Sequence, residues 1–499
     1  MAGNENPMED GPMQAEAPRI PKQGLGRDQI LSEMAARRKD DVKWQENRAF
    51  SLVFHHSDEH TEFLKAAHGL FFDGNGLNPM AFASLRRFEH EVVRMTAALL
   101  NGDRQTVGAM TSGGTESIML AVRSYRDRAR KVTPWIKKPE MVIPVSAHVA
   151  FDKAGKYFDV RMVRAPLGRD FRLNPKAMAR LITPNTIALA VSAPEYPFGM
   201  IDPVEDIGAL AIKHGIPLHV DACVGGFILP WVERLGYPIP PFDFRVPGVT
   251  SISADLHKYG YAAKGASTIL YRSMDYMRHQ FFVCVDWPGG VFASPSMPGT
   301  RPGGTIAAAW AGLMAMGEDG YLRNAEVVMN TTRRFIEGIN AIDGLRVLGN
   351  PPASVLAYGS SDKRLNCYAI ADFMTQRGWH IDRQQRPPAI HLMVNPGHAK
   401  IVDTYLEDLR AAVAHVRANP DAALSGSAPA YGLMANAPVR GLVEKNVLAI
   451  MERMYSADGE MPHLDAEDGG GVPEPILTLM KLKTRFIDKF LYRRTHAEK

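Results

Sequence analysis

The chain has 499 residues, 45% of them hydrophobic and 22% charged, which is enough for two or three packed domains with sizeable cores. Its 58 basic and 54 acidic residues nearly cancel and are mixed along the sequence, so charge makes no case for a nucleic-acid partner. The three cysteines, Cys223, Cys284 and Cys367, lie far apart without a CxxC pair, which argues against a disulfide framework and a cysteine zinc site and fits a reducing compartment.

Residues 1–27 carry acids and prolines where a secretory signal needs a basic and then an apolar region, and they read as a disordered leader. No window approaches a membrane span, so a cytoplasmic location is expected. A helical segment follows over 28–104: a polar helix at 28–50, an amphipathic one in "TEFLKAAHGLFF" (61–72) that stops at "DGNGLNP", and a third in "FASLRRFEHEVVRMTAALLNG". From 105 to 330, apolar runs such as "MVIPVS", "TIALAVSAP", "IPLHVDAC" and "GVTSISAD" alternate with helical stretches such as "PVEDIGALAIKHG". Strands apolar on both faces, alternating with helices, predict a large α/β domain around a mostly parallel sheet.

A smaller C-terminal α/β domain is expected over 331–435, with a strand pair in "LRVLGNPPASVLAYG", a helix in "LNCYAIADFMTQRG", a strand in "AIHLMVN" and a helix in "DTYLEDLRAAVAHVRAN". Residues 436–499 read as a C-terminal helical extension. Its Leu479, Leu482, Phe486 and Phe490 recur at helical spacing among basic residues; the stripe reads first as packing against protein, and second as peripheral contact with an anionic membrane.

Three features carry chemistry. "TSGGTESIMLAV" (111–122) is a Gly-rich turn running into a helix, whose free N–H groups offer a phosphate site at Gly114 and Thr115; taken alone, the same glycines equally make a tight turn. "PLHVDAC" ends an apolar strand in Asp221, at the strand end where parallel sheets bind ligands. A buried carboxylate there needs a cation such as a protonated pyridine nitrogen, with a turn cap as the plain alternative. "SADLHKYGYAAKGAS" (253–267) sets Lys258 among small uncharged residues, where an amine is expected to lose some preference for its charged form and become free to make a Schiff base. Phosphate cradle, acid and amine together are the three handles of pyridoxal 5′-phosphate (PLP).

The segments "TSGGTES", "SAHVAFDKAGKYF", "HGIPLHVDACVGGFILP", "SISADLHKYGYAAKG" and "TRPGGTIAAAWAGL" closely resemble sphingosine-1-phosphate lyases, members of the group II PLP-decarboxylase superfamily. The resemblance implies the α/β PLP-dependent fold type I (aspartate-aminotransferase-like). It implies Lys258 as the Schiff-base lysine, Asp221 as partner of the pyridine nitrogen, and His148 stacked on the cofactor ring with Ala222 on the other face. Gly114, Thr115 and His257 are then phosphate contacts. Gly299 and Thr300 match a loop that reaches the cofactor phosphate of the neighbouring subunit, which implies a homodimer with shared active sites. Lys264 matches a lysine that holds the substrate's phosphate, a point-charge role suited to an ammonium.

Two positions depart from the family: Phe54 in "SLVFHH" and Asn78 in "GNGLNP" stand where lyases usually have a tyrosine and a histidine near the substrate phosphate. The implied reaction cleaves a phosphorylated long-chain amino alcohol between C2 and C3 to a fatty aldehyde and phosphoethanolamine, with Tyr196 and His148 as candidates for proton handling. A PLP-dependent L-amino-acid decarboxylase is the alternative. A zinc hydrolase through His56, Glu59 and His60 of "HSDEH" is a distant third, because Ser57 reads as an N-cap that leaves His56 outside the helix, and no metal is expected. A non-catalytic scaffold is disfavoured by the retention of Lys258, Asp221 and His148.

Overall fold

A computed structural model describes residues 19–424, 426–429, 431, 432, 440–457 and 459. Most of the expected leader and the apolar stripe from Leu479 to Phe490 lie outside the described residues. Helix α1 spans Arg27–Arg37, so the single polar helix expected over 28–50 is corrected: short 3-10 turns replace it at Arg38–Asp40 and Trp44–Glu46. No residue of α1 is buried, so no packing extends it, and by Ala49 the chain is already bridged to His380. Helix α2 (Asp58–Gly69) starts where the Ser57 side chain accepts the His60 N–H, and α3 (Ala83–Leu99) follows.

The large sheet contains β1 (Val107–Thr111), β2 (Glu140–Pro144), β3 (Arg161–Ala165), β4 (Thr186–Ser192), β5 (Leu218–Asp221), β6 (Val249–Ala254) and β7 (Ser267–Tyr271), in the order β1-β7-β6-β5-β4-β2-β3. All neighbours pair in parallel except β7, which runs antiparallel to β1 and β6. Every residue of β4 and β6 is buried, as the continuous apolar runs require of a sheet covered on both faces by helices such as α4 (Gly114–Val132) and Val204–His214. The carboxyl ends of six strands therefore share one edge. Because β7 is reversed, its beginning joins them there.

A second, antiparallel sheet of β10 (Leu345–Val347), β11 (Val355–Ser360), β12 (Asp382–Gln385) and β13 (Pro388–Met393) has the order β10-β11-β13-β12. Before it, a hairpin of β8 (Phe282–Cys284) and β9 (Phe292–Ser294) leaves Phe282, Val283, Val285, Trp287 and Val291 exposed. The loop after β4 touches the second sheet so closely that a Cβ on Gly199, at φ +73°, would sit 2.0 Å from the Val355 carbonyl oxygen. Only glycine satisfies both the backbone angle and the approach. That contact presents Tyr196 to β12 and β13.

Candidate active site

The shared strand edge opens into a cavity of about 510 Å³ lined by residues following β1 (Gly114, Thr115), β2 (His148), β4 (Tyr196), β5 (Cys223) and β6 (His257, Lys258). Asp221, Lys264 and Phe54 also line it, and the second sheet adds Asp382 and Met393. A larger cavity of about 720 Å³ lies beside α3 and the β8–β9 hairpin. Its buried acid, Glu89, is already paired with Arg301, and none of the residues singled out in the sequence line it, so the chemistry lies in the smaller one.

Helix α4 starts at Gly114, so its first-turn N–H groups have no carbonyl one turn back and point their partial positive charge into the cavity. A Cβ on Gly114 would meet Cys223 Sγ at 2.6 Å and Asp255 Oδ2 at 2.9 Å, which explains why this turn is glycine. His257 is fixed by the Ala266 N–H donating to its Nδ1 at 3.2 Å.

Asp221 ends β5 almost fully buried, its Oδ1 accepting from the Cys223 N–H at 3.1 Å and the Ser253 hydroxyl at 3.2 Å. Burial alone would push its pKa up. The Cys223 hydrogen bonds and the neighbouring His148 and His219 override that and hold it below the usual carboxylate value. A buried carboxylate kept ionised, with no lysine or arginine in ion-pair contact among the described residues, suits a cationic ring nitrogen. His148 accepts the Ala150 N–H at its Nδ1, 3.1 Å away, which leaves Nε2 to carry the proton. Ala222, fully buried, follows Asp221 directly. These groups fit pyridoxal 5′-phosphate: a first helical turn for its phosphate, an anion for its nitrogen and a lysine for its aldehyde.

The two lysines reverse one expectation. Burial does act against charge on Lys258, but Asp255 Oδ2 lies 3.0 Å from its Nζ, and Asp255 with Cys223 and Asp221 raises its pKa above that of an ordinary lysine. Lys264 is the depressed one: burial and then Lys258 push it down to about 8. Its Nζ donates to the His257 carbonyl at 3.3 Å and lies 5.3 Å from the centre of the Phe54 ring.

Tyr196, Asp382 and His391 form a cluster of their own. The Tyr196 phenol donates to Asp382 Oδ2 at 3.1 Å and its ring stacks on His391 at 4.2 Å. Burial and then Asp382 raise the Tyr196 pKa, so the phenol serves as a donor and not as a base.

Gly299, Thr300 and Asn78 are exposed and do not line this chain's cavity. Asn78 caps a turn, accepting the Met80 and Ala81 N–H groups. Asp255, Asp382 and His391 were missed in the sequence; Asp255 alone left a signal, three residues before Lys258. The zinc pattern does not converge: His60 Nε2 is held at 3.2 Å by the Tyr261 carbonyl, His56 Nδ1 by Asn324 at 2.9 Å, and Glu59 is exposed.

The pyridoxal-dependent decarboxylase conserved domain matches residues 79–348. A sphingosine-1-phosphate lyase of Arabidopsis thaliana is 44% identical over 444 residues, 87% of this chain and 81% of that protein. The rat sphingosine-1-phosphate lyase 1 is 41% identical, over 91% of this chain and 80% of its own length. Among solved structures, a sphingosine-1-phosphate lyase from Burkholderia pseudomallei superposes with a TM-score of 0.80 at 37% identity, covering 88% of this chain and 97% of the other. With a cavity whose groups fit the same cofactor, the chain belongs to the sphingosine-1-phosphate lyase family of pyridoxal-dependent enzymes.

Proposed function

We propose that this enzyme cleaves the C2–C3 bond of a phosphorylated long-chain amino alcohol, releasing a long-chain aldehyde and phosphoethanolamine. The observation that carries the reading is the gathering of Lys258, Asp221, the α4 N-terminus and a second cation, Lys264, around one cavity. Lys258 would hold PLP by its aldehyde, and the cofactor would supply the electron sink for a bond broken at the carbon bearing the substrate's amine. Asp255 holds Lys258 in place through their contact at 3.0 Å, and Asp221 stays ionised to keep the ring nitrogen protonated. His148 and Ala222 would hold the ring, and Gly114, Thr115 and His257 would receive the cofactor phosphate.

Lys264 takes the substrate's phosphate. Phe54 offers it a ring face where the family usually has a hydroxyl, and Asn78 is committed to its turn, so this chain relies on Lys264 more heavily than the family pattern implies. Gly299 and Thr300 complete a second subunit's site in a homodimer, which would also cover the apolar side chains of the β8–β9 hairpin; light scattering reads that assembly. An amino-acid decarboxylase is less well supported, because Lys264 in the lining suits a substrate phosphate, which an ordinary amino acid lacks.

The test is a product assay on the PLP-loaded protein. Long-chain aldehyde from sphinganine 1-phosphate, lost in Lys258→Ala, is the expected result. Carbon dioxide from a panel of L-amino acids without any aldehyde would overturn the assignment.

A further inference from the structure

We propose that Asp382 is the base that accepts the proton of the substrate's C3 hydroxyl, an inference that rests on the lyase reading above. Four carboxylates line the cavity: Glu116, Asp221, Asp255 and Asp382. Three have other work. Glu116 accepts from the Ser112 N–H and hydroxyl through one oxygen and from the Met297 N–H through the other. Asp221 would pair with the cofactor's ring nitrogen, and Asp255 contacts Lys258 and approaches His257 at 3.7 Å. Neither candidate from the sequence serves well as the base: the Tyr196 phenol is already donating, and the His148 Nδ1 lone pair is occupied by the Ala150 N–H.

Asp382 is built to take a proton. It stands on the polar edge strand β12 directly opposite His391 of β13, in register across the pair. His391 is completely buried, and its Nε2 lies 2.8 Å from the Tyr196 carbonyl, which can only accept, so Nε2 carries the hydrogen. Its Nδ1 then presents a bare lone pair, without any hydrogen-bond partner, 4.0 Å from Asp382 Oδ2. A carboxylate facing a buried lone pair gains when a proton enters between them. Until then the Tyr196 hydroxyl stabilises the charged form. The side chain of Asp382 remains about a third exposed, on the cavity side.

In the step, the O–H bond at C3 breaks and its proton goes to Asp382. The electron pair of that bond becomes the second C–O bond of the aldehyde, while the C2–C3 bond breaks with its pair left on C2. Tyr196 and His391 are positioning residues that act through Asp382.

The experiment compares the PLP-loaded wild type with Asp382→Asn and Asp382→Glu. Aldehyde release from sphinganine 1-phosphate is measured alongside exchange of the C2 protons of phosphoethanolamine in heavy water, a reaction that involves no C3 hydroxyl, and alongside cofactor affinity by absorbance titration. The expected result for Asp382→Asn is a fall in kcat on the order of 100-fold with KM within about threefold, and with proton exchange and cofactor affinity retained. Asp382→Glu recovers part of the loss. A fall below about tenfold, or loss of exchange in step with loss of aldehyde, overturns the proposal, the second outcome showing a merely structural role. A wild type that neither releases aldehyde nor exchanges phosphoethanolamine defeats the lyase reading itself.

Discussion

Replacing Lys264 separates the proposed substrate-phosphate contact from the bond-breaking chemistry. Among the described residues that line the cavity, it is the only lysine or arginine besides Lys258. A hydrogen bond to a charged partner contributes about 1.5–3 kcal/mol, so Lys264→Met should lower kcat/KM for sphinganine 1-phosphate by roughly 10- to 150-fold. The same variant should change turnover of unphosphorylated sphinganine by less than about threefold, since that substrate offers the ammonium no anion. The pH dependence follows from the depressed pKa near 8, which leaves Lys264 mostly charged at neutral pH and mostly neutral a unit above that value. Preference for the phosphorylated substrate should therefore decline as pH rises through about 8, and Lys264→Arg should abolish that decline because a guanidinium stays protonated. Steady-state kinetics with both substrates across this range is the assay. Equal losses on phosphorylated and unphosphorylated substrates would refute the reasoning, because Lys264 would then be supporting the cofactor or the fold.

Three further outcomes are expected. Phe54→Tyr restores the hydroxyl that the family usually carries beside Lys264, and one added hydrogen bond of about 0.5–1.5 kcal/mol predicts a KM about 2- to 12-fold lower for the phosphorylated substrate, read by initial rates. Gly114→Ala forces a methyl against Cys223 and Asp255, and an overpacking cost of about 1–3 kcal/mol predicts cofactor binding weakened roughly 5- to 150-fold in an absorbance titration. Glu89→Gln leaves the buried Arg301 charge without its partner beside the Gly299–Thr300 loop, so chemical denaturation should show a loss of about 3–5 kcal/mol, and an unchanged midpoint would mean the pair is idle.

The large sheet was legible because parallel strands buried on both faces leave continuous apolar runs such as "TIALAVS", and ligand groups at their ends follow from the topology. The reversal of β7 was not legible: "STILY" reads the same in either direction, and only pairing with β1 and β6 sets its direction. Yet that reversal brings Lys264, just ahead of β7, to the cavity edge. β12 escaped for the opposite reason, since "DRQQ" has no apolar alternation; it is a polar edge strand, and its Asp382 gains meaning only from His391 across the ladder.

The lysine pair shows most plainly what a window of sequence cannot weigh. Lys258 and Lys264 share the same run of Gly, Ala and Tyr neighbours, and burial presses both toward neutrality. The outcome is opposite because Asp255 lies 3.0 Å from one of them, while the other meets a carbonyl, an aromatic face and the charge of the first. Composition set the shared desolvation cost, but the distance to a carboxylate decided its sign. The same geometry fits the roles proposed for the two amines: the one held by a carboxylate suits anchoring the cofactor, and the one with no carboxylate in contact suits receiving a phosphate.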